Sequence, residues 1–385
     1  MRRKLFLLLT PWYHAGVCVA ALTLAWSAHG AVAMNDDFHQ LGGHLRPTHS
    51  RRHSHESLNE VARDDAFRPP TLLTRNTDLE DLMAVLTQRQ HLKPRPRLLP
   101  FLVNPFSPLL LCDHHYGTER SPDPDIVINP LDKTRAHMIK PCEAVCVNAK
   151  SFEAFATDVL SLISTSIILF TSRYHLPQVE RSPLTDAVKA HPAISHWFAQ
   201  NPVYPGDERY TAFPYGVRAG MLEQYAPVFL AHHRDTRAAM AAAEKNKTIE
   251  HLPFAMTHPS RMPLLTEHVR NASYMKPTQY YERIARARFL VSPRGDRQDT
   301  YRHWEAIGLG ARPIANINRT LYGSLFGGDM VYMEDAGKIV SLLDDGEAQA
   351  ALEKTYHVPS AHRLSSLFWA RRVGEARAAC LRQAG

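Results

Sequence analysis

An α/β fold with two parallel-sheet units is what this sequence predicts, and three observations carry the prediction. Over residues 97–216, short apolar runs separated by turns (LLPFLV, LLLC, DIVI and SIILFTS) are interleaved with the helical pattern SFEAFATDVLSLI. A second alternation opens with the helix-forming residues 236–243 and the strand and loop within KTIEHLPFAMTHPSRMPLL. The third is residues 289–317, FLVSPRGDRQDTYRHWEAIGLGARPIANI, which reads as one strand, loop, helix, strand unit. Strands that alternate with helices return to the same end of the sheet each time, so they pair in parallel.

Taken in order, residues 1–33 are a signal anchor or signal peptide. Arg2, Arg3 and Lys4 precede an apolar stretch over 5–26, and Ala31-Val32-Ala33 has the small-residue pattern of a cleavage site. The apolar stretch is longer than a usual signal core and nearly long enough to span a bilayer; in either form the basic end stays cytoplasmic and the bulk of the chain crosses. Residues 34–94 are a stem and lead-in helix. The first part is polar, carries His44, His49, His53 and His55, and lacks the periodic apolar positions needed to offset chain entropy. Over 71–90, Leu79, Leu82, Met83 and Leu86 share one helical side.

Residues 95–216 form the first α/β domain, whose helix 151–163 has the apolar stripe Phe152, Phe155, Val159 and Leu162. Its later part reads as the strand SIILFTS, a turn, a helix ending near Trp197 to Asn201, and a strand closing in Pro214-Tyr215-Gly216. Residues 207–227 cross to the second α/β domain, 217–356. There 280–284 is helical, 289–292 is a buried strand closed by a proline-glycine signal, and Asp299 stands as N-cap of a helix over 300–309. A strand at 330–333 and a helix from Ala336 follow, and residues 357–385, with Trp369, form a closing C-terminal helix.

Lys and Arg total 45 against 38 Asp and Glu, a formal +7 that suits an anionic ligand such as a nucleotide diphosphate. The excess is too mild to argue for nucleic acid, and no nucleic-acid-binding motif accompanies it. Beyond Cys18 of the targeting segment, the cysteines are Cys112, Cys142, Cys146 and Cys380. In an oxidising compartment they permit two disulfides in any of three connectivities, and no second cysteine pair stands at zinc-site spacing. Sequons at Asn246, Asn271 and Asn318 agree with a secretory location. Asp123-Pro124-Asp125 matches a metal-holding D-x-D, but the flanking prolines favour a turn, and no metal is expected.

The chemistry gathers on residues 289–317. Arg294 lies in the loop, while Arg302 and Glu305, three apart on the helix, share one face. One guanidinium in the loop and another in the first helical turn suit a diphosphate, a carboxylate one turn on suits both hydroxyls of a ribose, and Gly295 lets a phosphate approach the backbone. The bland alternative is an ordinary surface ion pair between Arg302 and Glu305.

The string SPRG, a short gap, then DTYRHWEAIGLGARPI resembles the donor signature of exostosin-like glycosyltransferases, SPxGxGxDxxRxWEALxxGxxPI, and is similar above all to the branch containing the ribitol-phosphate xylosyltransferases. Arg297 stands where the family usually has a second glycine. Thr257-His258-Pro259-Ser260-Arg261 resembles a turn of the same branch and implies a second phosphate-binding cation, Arg261. A looser likeness over SIILFTSRYH and WFAQN implies that Arg173, His175 and Asn201 lie near the cleft, with His175 as general base. The resemblance implies a GT-B architecture, two Rossmann-like domains facing a cleft. It implies inverting, metal-independent transfer from a nucleotide-sugar donor, with no cofactor, to a glycan or glycoprotein acceptor. The implied setting is the lumen of the Golgi or endoplasmic reticulum, anchored in the membrane by the N-terminal segment or secreted if that is cleaved. The rival reading is a secreted or anchored carbohydrate-binding protein that keeps the fold without turnover. A fucosyltransferase-like arrangement fits less well, since its donor motifs place lysine and glutamate differently.

Overall fold

The structure, a computed structural model, describes residues 83–84, 101–118, 127–172, 178–239, 247–265 and 275–384. Residues 1–33, most of the 34–94 stem, Asp123, Asp125, Arg173, His175, Asn246 and Asn271 lie outside the described residues. Among the described residues no helix is long and apolar enough to cross a membrane. The described residues form two all-parallel sheets within one compact unit, Pro69–Gly385.

The first sheet has five strands in consecutive order. Helix α1 (Ser107–Leu111) leads to β1 (His114–Tyr116), and β2 (Ala144–Asn148) follows after a long connection. Helix α2 (Phe152–Asp158) carries the chain to β3 (Ile167–Ser172), α3 (Pro183–Ala190) to β4 (Ile194–Gln200), and a short loop to β5 (Tyr210–Phe213). Consecutive parallel strands joined by right-handed crossovers place every crossover on one face. Val145, Val147, Ile167, Leu169, Trp197 and Ala199 accordingly pack against Phe152, Phe155 and Val188 of α2 and α3. The opposite face, with Cys146, Ile168, Phe170 and Phe198, needs cover from elsewhere in the chain. It comes from α1 and from the last helix, whose Trp369 ring lies 4.7 Å from Phe213.

Gly216 turns the chain out of this sheet with φ +76°, where a Cβ would sit 2.1 Å from the Val103 carbonyl oxygen. Helix α4 (Leu222–Ala239) then leads to the second sheet, β6 (Lys247–Glu250), β7 (Ala287–Val291), β8 (Arg312–Ala315) and β9 (Val331–Tyr332), again consecutive. Helices α5 (Pro277–Ala285), α6 (Tyr301–Gly308) and α7 (Arg319–Phe326) connect these strands. Helix α8 (Ala336–Asp344) and the turn Pro259–Leu264 cover the face carrying Phe289, Val291 and Ile314, and α9 (Gly346–Glu353) and α10 (Ser366–Ala384) end the chain. Leu290 and Ala315, on the other face, share one continuous core with Trp304, Phe170 and Phe198, so the two sheets are packed through a common interior.

Several sequence expectations are corrected. LLLC is not a strand: Leu109 to Leu111 belong to α1, started by Pro108 in its first turn. Nor is LLPFLV a strand in its described part, where Leu102 makes only an isolated bridge to Ser365; Val127 and Ile128 of DIVI also lie outside any strand. Trp197 to Gln200 end a strand, not a helix. The helix stops at Ala190 before Pro192, and the seven residues Ile194–Gln200 run through the sheet with Trp197 and Phe198 on opposite faces. The apolar stripe of α2 breaks at Val159, where the chain tightens into a 3₁₀ turn; Leu160 and Ile163 are buried and Leu162 is 48 % exposed. The expected crossing over 207–227 contains β5, which belongs to the first sheet. Of the three possible disulfide connectivities the chain has Cys112–Cys146 and Cys142–Cys380.

Candidate functional site

Where a parallel strand ends in a loop that starts a helix, the loop amides and helix N-terminus point beyond the carboxyl edge of the sheet. Strand β7, buried along most of its length, ends this way at Ser292-Pro293, and α6 begins at Tyr301. The loop between them is built inward. Ser292 and His303 are fully buried with Oγ and Nδ1 2.7 Å apart, and His303 Nε2 lies 3.0 Å from the Gln298 carbonyl oxygen. A carbonyl only accepts, so Nε2 carries the proton and Ser292 donates to Nδ1. Burial pulls the His303 pKa down to about 3, so the ring stays neutral.

Of the predicted donor-side residues, Arg294 and Gly295 lie on this loop, Arg302 and Glu305 on α6, and Arg261 on the turn Pro259–Leu264, while the predicted base His175 lies outside the described residues. Arg294 is half-buried; its backbone N–H donates to Asn316 Oδ1 at 2.9 Å, and its Nε is buried without a hydrogen-bond partner. Arg261 is 7 % exposed and gives its guanidinium to carbonyls: Nε to Arg294 at 2.8 Å, Nη2 to Pro293 at 3.1 Å and Nη1 to Ala255. It therefore pins the loop from behind. Burial, with Arg302 nearby, lowers its pKa to about 10, which leaves it charged at neutral pH. The Cβ that Gly295 lacks would lie 2.8 Å from Thr257 Oγ1 and 3.0 Å from Arg261 Nη2, so it is this clamp that requires the glycine.

Arg302 and Glu305 do not form a surface pair. Arg302 is half-buried, donates to the Leu252 and Pro253 carbonyls, and stands 5.5 Å from the Tyr280 ring centroid. Glu305 is 5 % exposed, and its two oxygens accept from the Tyr280 and Tyr281 hydroxyls, each at 3.3 Å. Desolvation pushes the Glu305 pKa up, against the opposing field of Arg302. His258 caps the turn Pro259–Leu264 by accepting from the Ser260 N–H; burial and the neighbouring Arg294 and Arg261 lower its pKa.

Two residues do work that the sequence did not assign to them. Asp299 is not the cap of α6; that position belongs to Thr300, which makes no side-chain cap. Asp299 is buried and reaches across to the first sheet: Oδ2 accepts from the Tyr215 N–H and Oδ1 from Trp304 Nε1–H, both at 2.8 Å. Its desolvation raises the pKa to about 7. Arg297 lays its guanidinium over the Tyr215 ring, 3.7 Å from the centroid, and Tyr215 also meets the Tyr301 hydroxyl at 3.1 Å. Gln178, beyond the end of β3, adds a third tether by donating to the Asp296 carbonyl at 2.9 Å. The D-R-Q-D string carried the signal, since an acid and a base, Asp299 and Arg297, have little reason to be buried in a loop between strand and helix unless something faces them.

The arrangement joins the carboxyl ends of two parallel sheets through one arginine-rich loop. Asn318, the sequon residue within the described chain, is exposed and caps α7 just beyond β8. Among the described residues no group of three or more His, Cys, Asp or Glu is placed to hold a metal ion. No protein-family model matches the chain, and no curated protein matches it.

Proposed function

We propose that the protein is a glycosyltransferase of GT-B architecture that moves a sugar from a nucleotide-diphosphate donor to a hydroxyl of a glycan or glycoprotein. Supporting this reading above all is the loop between β7 and α6. It concentrates Arg294, Arg261 and Arg302, with the buried Glu305 one turn along α6, where two parallel sheets meet at their carboxyl edges. Arg294 contacts the diphosphate, because its Nε has no partner in the protein. Arg302 has N–H groups beyond the two that hold Leu252 and Pro253, and Arg261 fixes the loop while adding positive potential. Glu305 receives the ribose hydroxyls in exchange for the long tyrosine contacts. Charge building on the departing diphosphate is stabilised by these preorganised cations instead of a bound metal. His175 takes the proton of the acceptor hydroxyl, which attacks the anomeric carbon from the side opposite the leaving group and inverts it. The N-terminal segment holds the catalytic part in the Golgi or endoplasmic reticulum lumen.

The test is nucleotide binding by calorimetry. Glu305→Ala is expected to weaken UDP or GDP binding by about 1.5–3 kcal/mol, the scale of hydrogen bonds to a charged group. Unchanged affinity with the circular dichroism spectrum preserved removes Glu305 from the site. Release of nucleoside diphosphate from a donor panel is expected, and to persist in excess chelator. Strict metal dependence would bring Asp123 and Asp125 back, and binding without release would favour the carbohydrate-binding alternative.

A further inference from the structure

Two described residues other than glycine hold a left-handed backbone, Cys142 at φ 63° and Asn201 at φ 56°. Cys142 is locked there by its disulfide to Cys380 and by its N–H to the Ser166 carbonyl. Asn201 has no such lock. The residue is 8 % exposed, and Oδ1 is buried with no hydrogen-bond partner. An orphaned buried acceptor costs about 1–3 kcal/mol, and strain coupled to an unmet polar atom marks positions kept for a ligand.

The position is specific. Asn201 directly follows β4, and the strands on either side of β4 continue to the loop of the second sheet. Beyond β3, Gln178 donates to the Asp296 carbonyl; beyond β5, the Tyr215 N–H donates to Asp299 and its ring carries Arg297. Asn201 thus stands between two tethers at the carboxyl edge of the first sheet. On the other side of that edge, Arg294 Nε and Thr300 Oγ1 are likewise buried and without partners. The unmet atom at Asn201 is an acceptor, so its ligand brings a donor. A lone-pair acceptor disfavours an anion, and the neutral carboxamide suits a neutral donor such as a hydroxyl.

We propose that the Asn201 carboxamide accepts a hydrogen bond from a sugar hydroxyl, of the transferred sugar or of the acceptor glycan, bound where the two sheets meet. The inference rests on the nucleotide-sugar reading above.

Asn201→Gly separates this from a backbone role, because glycine adopts positive φ freely while losing the side chain that carries the carboxamide. The melting temperature is expected to hold or rise. Affinities for UDP and for UDP-glucose, UDP-N-acetylglucosamine, UDP-xylose and GDP-mannose are then compared by calorimetry, and donor hydrolysis is compared with transfer to a panel of methyl glycosides. A bond to the transferred sugar predicts unchanged UDP affinity and about ten-fold weaker binding of the nucleotide-sugar that the wild type prefers. A bond to the acceptor predicts unchanged nucleotide-sugar affinity and hydrolysis, with the acceptor KM raised about ten-fold. Asn201→Asp, which keeps an acceptor oxygen, is expected to restore part of either loss. Wild-type behaviour of Asn201→Gly in every arm overturns the proposal and leaves the donor reading standing. Failure of the wild-type protein to bind any nucleotide or nucleotide-sugar overturns both.

Discussion

The two sheets share a strand order and a core yet are held in different ways. Six Asp, Glu, Lys or Arg residues are buried among the described residues (Glu250, Arg261, Arg297, Asp299, Glu305 and Arg312), and all lie from β6 onward. The first sheet buries aromatic rings and aliphatic chains together with polar side chains such as Thr171 and Gln200, and it is fastened by both disulfides. Buried charge is costly unless each group finds partners, whereas apolar packing and a covalent link need no such matching. The difference separates an apolar, covalently fastened half from a charged one, and it predicts which substitutions each half feels.

The largest effect is expected on the scaffold side. Cys142–Cys380 ties α10 back onto the first sheet across 238 residues, against 34 for Cys112–Cys146. Cys380→Ser should cost about 2–5 kcal/mol in denaturant unfolding. Loop-closure entropy makes that loss about 1–2 kcal/mol larger than for Cys112→Ser. Equal losses would mean that the long link adds nothing beyond local packing.

The charged half should show itself through pH. Asp299 binds its proton up to about pH 7 when folded, against an ordinary value of 3.8. The folded chain therefore keeps a proton the unfolded chain has released, and this group's contribution to stability falls as pH rises from 4 to 7. His303, held down at about 3, runs the other way: the unfolded ring takes up a proton that the folded ring cannot, so stability rises with pH from about 3 toward 6.5. The wild-type profile should be shallow where the two oppose. Asp299→Asn removes the falling slope, so the variant should gain on the wild type by up to about 4 kcal/mol between pH 4 and 7. Parallel profiles would mean that Asp299 titrates as an ordinary carboxylate. Glu305, also raised by burial, keeps some falling slope in the variant.

How much of this was legible depends on where the determining contact lies in the chain. The β7, loop, α6, β8 unit could be read directly, because an apolar strand, a Pro-Arg-Gly punctuation and a Gly308-Leu309-Gly310 ending are local signals. Strand β4 was misread because a central strand is buried on both faces: SHWFAQ shows no alternation, and only Pro192 marks the break from α3. Asp299 looked like a cap because caps are local, while its partner Tyr215 lies 84 residues away. Cofacing Arg302 and Glu305 were visible in their spacing; that one would turn to backbone carbonyls and the other to tyrosine hydroxyls was not. Side-chain burial depends on what a distant segment brings, and spacing alone does not record it.

The smallest predicted effect tests whether Arg297 belongs to the scaffold or to the site. Its guanidinium lies on Tyr215 and is buried, so Arg297→Gly should cost about 1–2 kcal/mol from the lost cation–π contact and added chain entropy. The loop path itself does not require the side chain: Gly295 N–H donates to the Arg297 backbone carbonyl at 2.9 Å, and Arg261 holds the Pro293 and Arg294 carbonyls. Under the proposed donor reading, nucleoside diphosphate affinity should therefore change less than two-fold, well under the 1.4 kcal/mol of a ten-fold step. Arg297→Met, which keeps apolar contact with the ring but drops the charge, should lose part of the stability and none of the affinity. If both variants instead weaken UDP binding ten-fold while unfolding normally, Arg297 acts as a phosphate-binding cation, and the boundary between the charged site and the tether to the first sheet moves across Tyr215.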